Sequence, residues 1–146
     1  MNTASPSARH TTAPAWLKAV SVIGIIWYAF GLLQFWLGVS MDTTGAVNSG
    51  AITPEHGAAL DDTPLLVWLA FALASGTGLL GSALLFKASG HAKQVFALSA
   101  ICAVGYYVWV YMISGTGADR PAEELYIAAV VIGVTLGFCL LSRRVV

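Results

Sequence analysis

The long apolar stretches of this chain contain no proline and almost nothing that ionises; Lys18, close to the start of the first stretch, is the exception. An ionisable group in hydrocarbon costs roughly 2.5 kcal/mol or more and, where it occurs, marks an ion path or a proton relay. Neither is expected here. His10, His56 and His91 all fall outside the apolar stretches, which argues against axial ligands for haem or a pigment. Cys102 and Cys139 lie far apart inside apolar stretches, where a thiol behaves as a small hydrophobe. Paired cysteines near a water boundary, as a disulfide-generating oxidoreductase needs, are missing. Ser21, Ser75, Ser82 and Ser99 have no histidine or lysine at a matching depth to serve as a base. The expectation is a protein without catalytic residues, cofactor or metal. Its formal net charge of +0 implies no nucleic-acid-binding surface.

What is there is apolar. With 58% hydrophobic and 10% charged residues, the chain has too few polar side chains to coat a water-soluble globule. A helix needs roughly 20 residues to cross the hydrocarbon core. Four segments meet this, approximately 16–38, 65–86, 95–114 and 125–141, the last short unless Ala122 to Glu124 supply its outer turn. Pro14, Pro64 and Pro121 stand just before three of them, where a missing N–H has no helical partner to lose. Residues 1–15, rich in Ser, Thr, Ala and Pro, read as a flexible cytoplasmic tail, and 16–146 as a single four-helix transmembrane domain. A cleavable signal peptide is the alternative for the start, but the apolar run after the tail is longer than an h-region and lacks a small-x-small cleavage site.

Arg9, Lys18, Lys87, Lys93, Arg143 and Arg144 flank one side of the four spans, and only Arg120 the other. Cytoplasmic flanks are enriched in Lys and Arg, so both termini are expected to be cytoplasmic and loop 39–63 outside. In that loop Thr53, Pro54 and Glu55 spell a helix start capped by Thr53. Asp42, Glu55, His56, Asp61 and Asp62 lack a fixed ligand spacing, and a solvated acidic loop is favoured over a cation site.

Helices in lipid associate where small residues let backbones approach. Ala70, Ala74, Gly78 and Ser82 recur every four residues in the second span, and Ala129, Gly133 and Gly137 in the fourth. Gly24, Gly31 and Gly38 recur every seven in the first, the spacing of a left-handed seam. These stripes hold the bundle together or, for one of them, face another protein. Phe35, Trp36, Trp68, Tyr107, Trp109, Tyr111 and Tyr126 gather at the outer ends as an interfacial belt would. Trp27, Tyr28 and Tyr106 lie deeper and, with the polar Gln34, are the candidates for lining a solute site. AVSVIGIIWYAF from Ala19 and ALSAICAVGYYV from Ala97 also match at their Ala, Ser, Ile and Tyr positions, a faint echo that the small alphabet of apolar helices also yields by chance.

At Trp27, Ala29, Phe30 and Gly31, then Thr53, Pro54 and Glu55, then the run GLLGSALL from Gly78 to Leu85, the chain resembles small four-span α-proteobacterial membrane proteins loosely labelled sugar transporters. The resemblance implies the four-span layout in a bacterial inner membrane. Two functions remain open. One is a non-catalytic accessory or interaction subunit of a larger membrane complex, respiratory or photosynthetic, docking on other membrane helices. The other is a small neutral-solute, sugar-like transporter acting as a homo-oligomer, since a single four-helix bundle is expected to be filled at its centre. Orientation is testable directly: a single reporter cysteine at Ser49 should react with an impermeant thiol reagent in intact spheroplasts and one at Ser89 should not, and the reverse pattern would invert the topology.

Overall fold

The computed structural model describes residues 14–114 and 122–145, and every regular element among them is helical. In chain order these are α1 (Ala15–Val39), α2 (Thr43–Asn48), α3 (Pro54–Asp61), α4 (Leu65–Phe86), α5 (Ala92–Val108) and α6 (Ala122–Val145). A π-helical segment, Trp109–Ile113, continues α5. Four helices, α5 being counted with its continuation, are long and apolar enough to cross a membrane, which suggests a multi-pass membrane protein.

Helix boundaries follow local chemistry. Pro14 and Pro64 stand at the N-caps of α1 and α4 in extended conformation; Pro121 lies outside the described residues. Thr53 accepts a hydrogen bond from the His56 N–H at 3.2 Å and Pro54 opens α3, as the Thr-Pro-Glu signature leads one to expect. α2 was not anticipated. It is capped by Asp42, whose carboxylate accepts from the Gly45 N–H at 3.1 Å. The third span begins at Ala92 rather than Val95, because the Ala92 N–H already bonds the Ser89 carbonyl and Ala92 itself is fully buried. Nor does it stay α-helical to its end: the Ser114 N–H bonds back five residues to the Trp109 carbonyl at 3.0 Å. The fourth starts at Ala122 and runs on to Val145, beyond the expected Leu141.

The end of α4 is a tight stop. Ser89 N–H reaches the Leu84 carbonyl and Ala88 N–H the Leu85 carbonyl, both at 2.9 Å, while Ala88 takes φ 52, the left-handed position usually given to glycine. This reversal sends α5 back antiparallel to α4.

The four long helices run up and down in sequence order, with α1 on α4, α4 on α5 and α5 on α6. The closest fit is α1 on α4. A Cβ placed on Gly24 would meet Ser82 Oγ at 2.5 Å, one on Gly31 would meet Ser75 Oγ at 2.7 Å, and one on Gly38 would meet the Trp68 ring at 2.7 Å. Each step of seven up α1 matches a step of seven down α4, and Tyr28 against Gly78 falls in the same antiparallel register. Gly81 similarly receives the Phe96 ring. α1 and α6 make little backbone contact, and between them lies a gap that side chains fill only in part.

That filling is aromatic. Tyr28, Phe96 and Phe138, from α1, α5 and α6, form a triad with ring centroids 6.2, 6.0 and 5.3 Å apart. Leu17, Leu85, Ala92 and Cys139 complete the core toward the end of the bundle that holds the start of α1 and the end of α6. Substituting Gly78→Ala drives a methyl into the Tyr28 ring, which the triad holds in place. Such overpacking costs about 1–3 kcal/mol. The thermal midpoint in detergent should fall for Gly78→Ala and stay near wild type for Gly133→Ala, where a Cβ would meet nothing within 4 Å.

Candidate functional site

Beyond the triad the centre of the bundle opens. A cavity of about 200 Å3 lies among all four long helices, with Trp27, Tyr28 and Gln34 of α1, Phe71 of α4, Tyr106 of α5 and Thr135 of α6 in its wall. A second space of about 380 Å3 sits under α3, lined by His56, Leu60, Met41, Trp68 and the buried Val110 of the π-helical segment. Gln34, Phe71 and Tyr106 border both, so the two spaces lie next to each other with these three residues in the wall they share. A bundle this narrow was expected to be filled at its centre. One half is filled, by the triad, and the half toward α2 and α3 is not.

α3 roofs this second space and packs with α2 as a small hairpin. Thr43 Oγ1 donates to the Asp61 carboxylate at 2.9 and 3.1 Å, and Gly57 is buried against Val47. Asp42 and Asp61, weighed above as cation ligands, are thus engaged in capping and bracing this hairpin.

All four residues proposed to line a solute site, Trp27, Tyr28, Gln34 and Tyr106, border the one inner cavity. The tyrosines that align in the echo between the first and third spans, Tyr28 and Tyr106, face each other's space there. Gln34 is exposed, in the wall the two spaces share, rather than buried in a helix contact. The packing candidates divide. Gly24, Gly31, Ala74, Gly78 and Ser82 lie on the α1–α4 side and Ala70 is half-buried, whereas Ala129, Gly133 and Gly137 point away from the bundle. The expected aromatic belt is partly an interior structure: Phe35 contacts Trp68 and Phe71, and Phe71 stacks on Tyr106 at 5.0 Å. Trp36 and Tyr126 remain on the surface.

Phe71, Ser99 and Thr135 were not among the sequence candidates for this site. Ser99 donates across to the Ala74 carbonyl at 2.6 Å, tying α5 to α4, and Thr135 donates to Val131 at 2.8 Å within α6. Their protons are therefore committed to backbone. Both hydroxyls stand near the Tyr28 side chain, yet neither is in bonding geometry with its hydroxyl. Among the described residues, Tyr28 OH is the buried side-chain polar atom without a hydrogen-bond partner, on a residue only 4% exposed.

No family model, characterised protein or solved structure matches the chain. The chemistry of the cavity is carried by its own wall: several aromatic faces, together with the polar ends of Trp27, Gln34, Tyr106 and Tyr107.

An unpaired buried hydroxyl costs about 1–3 kcal/mol. Tyr28→Phe removes it with little change of shape and should raise the thermal midpoint of the ligand-free protein. Ser99→Ala, which deletes the bond to Ala74, should lower the midpoint by an amount equivalent to about 1 kcal/mol. A fall on Tyr28→Phe would mean that the hydroxyl is satisfied.

Proposed function

We propose that this chain is a small-neutral-solute-binding protein of a bacterial inner membrane, with both termini in the cytoplasm and the α2–α3 hairpin on the outer face. The carrying observation is the inner cavity, which gathers Trp27, Tyr28, Gln34 and Tyr106 in one wall and lies next to a second space under α3. Aromatic faces with a few polar groups suit a neutral molecule better than an ion. The orientation draws support from Lys18, Lys87, Lys93, Arg143 and Arg144, which cluster at the end of the bundle opposite that hairpin. Binding and carriage, without catalysis, is the role proposed.

A second reading rests on a different surface. Ala129, Gly133 and Gly137 form an outward stripe on α6, with nothing within 4 Å of a Cβ at either glycine. Such a stripe suits close docking of another membrane helix. It supports an accessory-subunit role in a larger complex of the respiratory or photosynthetic kind, or a homo-oligomer of this chain.

The two are separable by experiment. In nanodiscs holding the full chain, a panel of neutral solutes, monosaccharides included, should contain a saturable ligand whose binding is lost when Ala103→Leu fills the cavity from α5. If no member of a broad panel binds, and mild-detergent purification recovers a constant partner through α6, the accessory reading replaces the binding one.

A further inference from the structure

We propose that the end of the bundle carrying Lys18, Lys87, Lys93, Arg143 and Arg144 is a binding surface for anionic phospholipid, with a headgroup phosphate held by Lys18 and Lys87 at the rim of the α1–α4 seam. The proposal is independent of what occupies the inner cavity.

Charge is sharply separated along the bundle. Every long helix brings a cation to this end: Lys18 in the first turn of α1, Lys87 at the C-cap of α4, Lys93 in the first turn of α5, and Arg143 and Arg144 in the last turn of α6. All five side chains are exposed. No Asp or Glu stands there among the described residues, since Asp42, Glu55, Asp61 and Asp62 lie on or beside α2 and α3 at the other end. α1 and α5 also begin at the basic end, each without a side-chain cap and without an acid in its first turn. The positive ends of two helix dipoles therefore add to the same field.

Packing directs two of the cations to one place. Leu17 and Leu85 are fully buried in the core where α1 starts and α4 ends, and their neighbours Trp16, Lys18 and Phe86 face outward. The Lys18 ammonium lies 5.8 Å from the centroid of the Phe86 ring, and Lys87 follows Phe86 directly. Trp16 and Phe86 are 51% and 40% exposed.

The aromatic rings set the level. Tryptophan settles among headgroups, and a lysine stem lies along apolar surface while its ammonium stays at the water boundary. These residues end two helices that are apolar enough to cross a membrane. A soluble acidic peptide would be met by cations standing clear of the lipid, whereas Lys18 and Lys87 stand at its edge. A phospholipid satisfies both halves of the rim, its phosphate on the lysines and its acyl chains along Phe86 and the apolar surface beyond it. Each basic group close to an anionic bilayer surface strengthens binding about fivefold.

Trp16 reports on this place. With the full chain in phosphatidylcholine nanodiscs, the difference between wild-type and Trp16→Phe emission isolates its fluorescence. Phosphatidylglycerol brominated on its acyl chains should quench that emission more than equally brominated phosphatidylcholine at the same mole fraction. Lys18→Gln and Lys87→Gln should each lower the preference by about two- to fivefold, while Lys18→Arg keeps it and Lys93→Gln, on α5, changes it little. Thermal midpoints of these variants in pure phosphatidylcholine should stay near wild type, because each side chain is exposed. Equal quenching by the two lipids overturns the proposal. So does an equal loss in Lys93→Gln and Lys18→Gln, which would mean diffuse attraction with no headgroup held at the rim. Loss of the preference in excess inorganic phosphate at constant ionic strength would make a soluble phosphate the occupant and also overturn it.

Discussion

Glycine at every seventh position of α1 lets α4 approach until its side chains touch the α1 backbone, and the rest of the bundle is arranged around that seam. Lipid tails are as apolar as the side chains, so hydrophobic exclusion does little to hold helices together there; close packing must do it. Gly24, Gly31 and Gly38 set the distance, and Gly78 then accepts the Tyr28 ring that such closeness would otherwise exclude. With Tyr28 fixed, Phe96 and Phe138 stack beside it, and Phe138 reaches from α6 to Gly24 of α1. Beyond the triad the side chains of the four long helices leave the cavity. The tight seam on one side and the loose one on the other are two outcomes of where glycine was placed.

Polar groups follow a stricter accounting. Ser21 and Ser82 return their protons to carbonyls one turn back in their own helices, and Ser142 does so three residues back. Ser99 alone among these serines reaches another helix, α4, at 2.6 Å. Against that background the unpaired phenol of Tyr28 is a departure from local consistency.

Much of the architecture was legible because length and hydropathy are one-dimensional properties. The second span has the very bounds read from the sequence, and the Thr53 cap was visible as a motif. Direction was not legible. Ala129, Gly133 and Gly137 carry the same spacing as Ala74, Gly78 and Ser82, yet one stripe faces outward and the other inward, since spacing fixes a face but not its neighbour. Phe35 and Trp68 read as belt residues because an aromatic ring near a helix end serves a belt or an interior contact equally well. The depth of Trp27, Tyr28 and Tyr106 was the useful signal for the cavity. Phe71, Ser99 and Thr135 carried no signal beyond ordinary packing residues. The π-helical turn has no proline to announce it, and α2, with two threonines, a glycine and a valine among its six residues, has little helical propensity beyond the Asp42 cap.

The aromatic triad also decides in which direction the interior can change shape. Tyr28, Phe96 and Phe138 come from three different helices and meet ring to ring, so the empty space beyond them can extend toward Leu17 and Leu85 only if α1, α5 and α6 move apart together.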